Sequence, residues 1–169
     1  MADTDTSRGI GDALASIVLA SARHRSAIGH LLRLSENEVL AMVHLRRAGE
    51  LTPTALGRLL SLTSGGTTAL VQRLERDGHV VRQVHPRDGR SRLLRLSAEG
   101  HRRAAEVLGP LERAIDAAVA ELPSSERAAV GGFLARVAGL AEEHADAAAT
   151  TAERDGGIRV EDPVPAMSL

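Results

Sequence analysis

The chain has 169 residues, with 21 basic against 22 acidic side chains and a net charge of −1; it holds one phenylalanine and no tryptophan, tyrosine or cysteine. Without cysteine there is no disulfide, no thiolate nucleophile and no cysteine-based zinc site, and no uncharged apolar run reaches the roughly 18 residues of a membrane span. The acidic start, MADTDTSRGIGD, lacks the basic region of a secretory signal, so a cytoplasmic protein is expected.

The near-neutral total hides an uneven distribution. All 21 basic residues are arginine. Between Thr52 and Arg103 ten arginines face four acids, whereas from Leu140 to Leu169 seven acids face two arginines. A basic middle with acidic flanks is the footprint of a nucleic-acid-binding surface, or else an ordinary solvated face.

In chain order, Asp12 to about Leu32 reads as a first helix, with Leu14, Ile17, Val18, Ile28, Leu31 and Leu32 near three-and-four spacing. Ser35-Glu36-Asn37-Glu38 is a capping box that starts a helix through Val39, Leu40, Val43 and Leu45, ending near Gly49. Thr52-Pro53 is a cap with proline at the first helical position, which opens a short helix with Leu56, Leu59 and Leu60 inward. After a tight break at Ser61-Leu62, Thr63 or Ser64 caps a helix that ends at Asp77-Gly78 and buries Thr67, Leu70, Val71 and Leu74.

Then the period changes. His79–Val84 and Arg92–Leu96 read as two strands around the turn Pro86-Arg87-Asp88-Gly89-Arg90, a hairpin with a basic tip. Ser97 caps a long helix towards Glu121, in which Pro110 predicts a kink or short interruption. A last helix is expected from about Ser125 to Ala148, followed by an aperiodic tail.

No enzyme chemistry emerges. There is no phosphate-binding glycine loop and no GxSxG elbow, and no two of the seven histidines lie three or four residues apart to begin a metal site. No catalytic residue, metal or cofactor is therefore assigned. The informative constellation runs from Thr52 to Gly100, where a short helix, a tight turn, a second helix and a β-hairpin form a winged helix-turn-helix. Its second helix enters the DNA major groove. The face opposite the buried one carries Ser64, Gly65, Thr68, Gln72 and Arg76. Gln72 suits a bidentate contact to adenine and the Thr68 methyl a thymine methyl. Gly65 and Gly66 let backbone N–H groups approach a phosphate, and Arg73 and Arg76 suit phosphates one turn later. At the hairpin tip Arg87, Arg90 and Arg92 fit a narrow minor groove. Asp88 either holds Arg90 or Arg92 extended or is simply the turn-forming residue before Gly89.

On these residues the chain resembles the MarR family of bacterial transcriptional regulators. Thr63–Gly78 looks like that family's recognition helix. His85-Pro86-Arg87-Asp88-Gly89-Arg90 and Leu96-Ser97-Ala98-Glu99-Gly100 look like its wing and the LTxxG that opens the next helix. Gly89 stands where the family usually has the first arginine of Asp-Arg-Arg, and Arg90 maps to the last. The resemblance implies a homodimer held by interlocking terminal helices, whose surplus apolar residues (Leu14, Ile17, Val18, Ile115, Val119, Val130, Leu134 and Leu140 among them) agree with it. It also implies a small-molecule effector, for which His24, Arg25 and His44 are the candidates. The absence of tyrosine and tryptophan disfavours a stacking pocket, and the absence of cysteine excludes thiol sensing.

The expected architecture is mostly α with a small β-hairpin wing. Residues 1–34 and 101–149 serve dimerisation, 35–100 form the DNA-binding domain, and 150–169 form a disordered tail. The expected partners are double-stranded DNA and a second copy of the chain, with no membrane. The function expected is a repressor on an inverted repeat; the alternative is a winged-helix protein-interaction module.

Overall fold

The computed structural model of the chain describes residues 2–84 and 92–154. Six helices and one antiparallel hairpin follow in the order α1 (Ala2–Leu32), α2 (Glu36–Ala48), α3 (Pro53–Leu59), α4 (Ser64–Arg76), β1 (Val80–Val84), β2 (Arg92–Leu96), α5 (Ala98–Ala120) and α6 (Ser124–Arg154). The chain divides into two compact units, one ending at Arg113 and the other beginning at Ala114. Among the described residues no helix is long and apolar enough to cross a membrane.

The local signals in the sequence sit where they were expected to act. The capping box is complete, with Ser35 Oγ accepting from Glu38 N and the Glu38 carboxylate accepting from Ser35 N at 2.8 Å. Thr52 and Thr63 each accept a first-turn amide, at Ala55 and Gly66, both at 3.1 Å. Pro53 stands at the first helical position, where its missing N–H costs nothing.

The core of the first unit is aliphatic. Leu45, Leu56, Leu70, Leu74, Leu94 and Leu96 are fully buried, joined by Ile28 and Leu34 from the α1–α2 corner and by Ala104 of α5. The hairpin pairs Val80 with Leu96 and Val84 with Arg92. Its second strand is held from the other side by Leu51, whose backbone exchanges hydrogen bonds of 3.0 and 2.8 Å with Leu94.

Several sequence expectations are corrected. α1 extends back to Ala2 rather than starting at Asp12, and α6 continues to Arg154, taking in 150–154 of the expected tail; residues 155–169 lie outside the described residues. Of the kink or interruption expected at Pro110, the interruption is ruled out, since α5 runs through it as one helix. Pro110 and Glu106, whose carbonyl loses its donor, are both exposed, so water can serve that carbonyl. Leu59, expected inward, is 50% exposed. The first strand starts at Val80, and His79 is instead buried at the joint before it.

Candidate nucleic-acid interface

The helix pair α3–α4 is closed by a left-handed residue. Ser61 has φ 52°, Leu62 N donates to Gly57 O at 2.9 Å, and Ser61 N donates to Arg58 O at 3.1 Å. These two bonds terminate α3 and reverse the chain in three residues. The same Gly57 sets how closely α4 can approach. A methyl built on Gly57 would lie 2.5 Å from Thr67 Oγ1. Thr67 is itself 4% exposed, with its hydroxyl donated back to Thr63 O at 2.9 Å. Glycine at 57 and a back-bonded threonine at 67 thus bring the two helices together with no orphaned hydroxyl.

With Thr67, Leu70, Val71 and Leu74 turned inward, the opposite face of α4 is fixed by the helical period. Ser64, Gly65, Thr68, Gln72 and Arg76 are all exposed on it. Thr68 donates its hydroxyl to Ser64 O at 2.9 Å. Its proton is therefore used within the helix, leaving a methyl and acceptor lone pairs for contact. Gly65 has open space around it: a Cβ there would meet nothing within 4 Å.

The arginines differ in exposure and in the partners the fold gives them. Arg73, expected at a phosphate, has its Nε bound at 2.6 Å to Oε1 of Glu38 on α2. The Glu38 carboxylate is buried and also accepts from the amide and hydroxyl of Ser35, at 2.8 Å each. Burial by itself would raise its pKa; the Arg73 bond and the two Ser35 donors outweigh that and hold it below the usual carboxylate value. Arg82 Nε lies 2.9 Å from Glu75 Oε2, and Arg102 and Arg103 both bind Glu99. Arg73, Arg82, Arg102 and Arg103 are therefore engaged by carboxylates of the fold, of which Glu75 and Glu99 are already among the four acids of 52–103. Arg76 is 70% exposed with Asp77 at 3.6 Å, the length of a loose surface pair. Arg92 is exposed at the start of β2. Arg87, Asp88 and Arg90 lie outside the described residues.

Neither Arg73–Glu38 nor Glu75–Arg82 was anticipated. The capping box announced Glu38, but the box uses only part of a carboxylate's acceptor capacity. A half-spent acidic side chain at a buried cap was the available signal.

Of the three effector candidates, one borders a cavity. Arg25 lines a cavity of about 160 Å³ with Ser26, Gly29, His30, Leu34 and Glu36. Its Nε is buried without a hydrogen bond and lies 3.8 Å from Glu36 Oε1. His24 and His44 are not among the lining residues. Burial, with the Arg47 charge behind it, holds His44 below the ordinary histidine pKa.

Comparison with known proteins places this arrangement. A family model described as MarR family matches residues 34–91. The uncharacterized HTH-type transcriptional regulator YcgE of Bacillus subtilis (strain 168) is 29% identical over 99 residues, which is 59% of this chain and 64% of that protein. The chain thus matches just under two thirds of that relative's length. A crystal structure of NadR in complex with 4-hydroxyphenylacetate aligns with a TM-score of 0.59 at 23% identity, over 76% of this chain and 92% of NadR. Wild-type MarR from E. coli, in its apo form, aligns with a TM-score of 0.53 at 22% identity, over 75% of this chain and 95% of that one. Both share with this chain a fold of long terminal helices and a winged helix-turn-helix.

Proposed function

We infer that this chain, which a MarR family model matches over residues 34–91, is an HTH-type transcriptional regulator of that family, and we propose that it acts as a homodimeric repressor. It reads an inverted-repeat operator through α4 and the hairpin and is released by a small molecule. The observation that carries this reading is the exposed face of α4. Five side-by-side positions, Ser64, Gly65, Thr68, Gln72 and Arg76, are turned to solvent by a helix whose other face is locked into the core. Gly65 supports it separately. The fold gives no reason for a glycine there, and glycine lowers helix stability by about 1 kcal/mol relative to alanine. An approaching phosphate or base edge supplies the reason.

Two recognition helices of a two-fold dimer are expected about 34–36 Å apart, one turn of DNA. Gln72→Ala should cost about 1–3 kcal/mol on the cognate operator and much less on random duplex, because only a base contact is lost. Log affinity should fall linearly with log salt. Arg76→Ala should weaken all duplexes alike and flatten the slope by about one unit. Gel shifts across a salt series test both. A slope near zero sinks the DNA reading in favour of a protein-interaction module, and equal losses for Gln72→Ala on every duplex would mean that the wrong face of α4 has been assigned to the groove.

Dimerisation is supported by apolar side chains left at the surface. On α1, Ile10, Ile17, Val18 and Leu19 are 44–67% exposed; in the unit after Ala114, Ile115, Val119, Val130, Leu134 and Leu140 are 42–55% exposed. A monomer would show these to water. The double variant Val18→Glu, Leu19→Glu should sediment as a folded monomer where the parent is a dimer. A variant that stays dimeric removes α1 from the interface.

For the effector, the cavity beside Arg25 supports a small carboxylate-bearing compound, and 4-hydroxyphenylacetate, the ligand of NadR, is a convenient probe. It should raise the melting temperature of this chain but not of Arg25→Ala. An equal rise in both separates the effector from Arg25.

A further inference from the structure

We propose that Glu75 and Arg82 form a strut that sets the angle of the wing against the recognition helix, which makes both of them positioning residues for the operator reading proposed above. The joint they span is short and turns on a glycine, with Ser97 Oγ donating to the Gly78 carbonyl. α4 ends at Arg76, Asp77 is its C-cap, and Gly78 takes φ +76°, a left-handed conformation with open space around it. Three main-chain bonds cross the joint, from Asp77, Gly78 and His79 back to the carbonyls of Arg73, Glu75 and Leu74.

Beyond the joint β1 leaves the core quickly. Val80 is 2% exposed, Val81 is half-buried, and Arg82, Gln83 and Val84 are exposed. β2 has a second anchor in Leu51, whereas β1 is held by the ladder and by the buried Val80 at its start. The Arg82–Glu75 pair therefore ties β1 back to the last turn of α4 at the residue where burial runs out. Main-chain bonds and Ser97 hold the glycine joint itself, and the charge-assisted Arg82–Glu75 bond is the side-chain link that ties β1 to α4 across it, so it narrows the angle between them. Because α4 faces the major groove and the wing the minor groove, that angle decides whether both grooves are engaged together.

The pair is half-exposed, with 36% of Arg82 and 29% of Glu75 accessible, so breaking it should leave the fold intact. Three variants test the strut, Glu75→Gln, Arg82→Gln and the swap Glu75→Arg with Arg82→Glu, with thermal unfolding confirming that each folds. The chain has no cysteine, so Ala69→Cys on α4 and Val84→Cys on β1 carry a clean pair of spin labels, diluted with unlabelled protein. In the free protein each single variant should broaden the 69–84 distance distribution, and the swap should narrow it again. On an A·T-flanked operator the single variants should lose affinity by up to about fivefold, the full strength of an exposed ion pair, and the swap should recover it.

An unchanged distance distribution in the single variants overturns the strut. A swap that restores the distances but not the affinity overturns the positioning role and makes Arg82 a DNA contact in its own right. If the parent chain binds no duplex, the operator reading fails while the distances still decide the strut.

Discussion

Replacing Gly100 by alanine is expected to destabilise the first unit by about 3 kcal/mol or more, at the upper end of what overpacking does. A Cβ at position 100 would stand 2.0 Å from the carbonyl oxygen of His79, with His79 C at 2.9 Å and Cα at 3.2 Å. These are backbone atoms, so no rotamer change relieves the clash. Clearing it means moving the start of α5 by about 1.4 Å, from 2.0 Å to the 3.4 Å at which ordinary contact begins.

That end of α5 is held tightly. Ser97 N donates to the same His79 carbonyl at 2.9 Å, and Ser97 Oγ donates to Gly78 O at 2.5 Å while accepting from Gly100 N at 2.9 Å. A shift of that size breaks all three. Because Gly78 and His79 join α4 to the wing, the damage reaches both of those elements. Ser97→Ala removes only a cap and should cost about 1 kcal/mol. Urea unfolding of both variants beside the parent measures the difference. A Gly100→Ala midpoint within error of the parent's would mean that α5 has freedom at its start that these contacts deny.

The second large effect is expected at Glu38. Glu38→Ala should destabilise by about 2–4 kcal/mol, since it removes a charge-assisted bond to Arg73 together with the capping bonds to Ser35. The figure is set below that for a fully buried pair because the Arg73 side chain is 44% exposed and regains water when abandoned.

The pH dependence follows from the direction of the shift. The folded pKa of Glu38 is lowered below its ordinary 4.5, the Arg73 and Ser35 bonds outweighing burial. The native state therefore releases its proton more readily than the unfolded one. Stability from Glu38 is fully present above the unfolded value of about 4.5 and is lost as pH falls through the folded value. The gap between the parent and Glu38→Gln should be constant near neutrality and should close as pH is lowered beneath 4.5. A gap that persists unchanged into acid would show that the glutamate acts by shape and not by charge. Arg73→Ala should follow the Glu38 variants in stability. This is why a loss of DNA binding in Arg73→Ala cannot be read as a lost phosphate contact unless its unfolding is measured too.

These two sites mark the division between local and tertiary information. Caps, helix periods and turn residues act within about four positions, so the sequence by itself determined the capping box at Ser35, the Thr52-Pro53 start, the span of β2 and the inward face of α4, and narrowed the α4 cap to Thr63 or Ser64, of which the structure uses Thr63. The exposed face carrying Thr68 and Gln72 followed from that inward face by helical geometry alone. Ends and partners were different. α1 and α6 run past their expected limits over residues 2–11 and 149–154, stretches that carry no periodic apolar signal for a sequence reading to follow. Leu59 reads inward by its spacing, yet α3 is only seven residues long and its buried arc closes with Leu56, Gly57 and Leu60.

Only the tertiary structure decided which arginines are committed. Arg73 meets Glu38 across 35 residues and Arg82 meets Glu75 across a glycine joint. It also decided why position 100 is glycine: α5 is seated on the His79 carbonyl, 21 positions earlier in the chain. A basic residue looks the same in the sequence whether it faces a phosphate or a buried carboxylate. What separates the two is the distance to a partner brought up by the packing of α2, α4 and the wing, and that distance is a property of the fold alone.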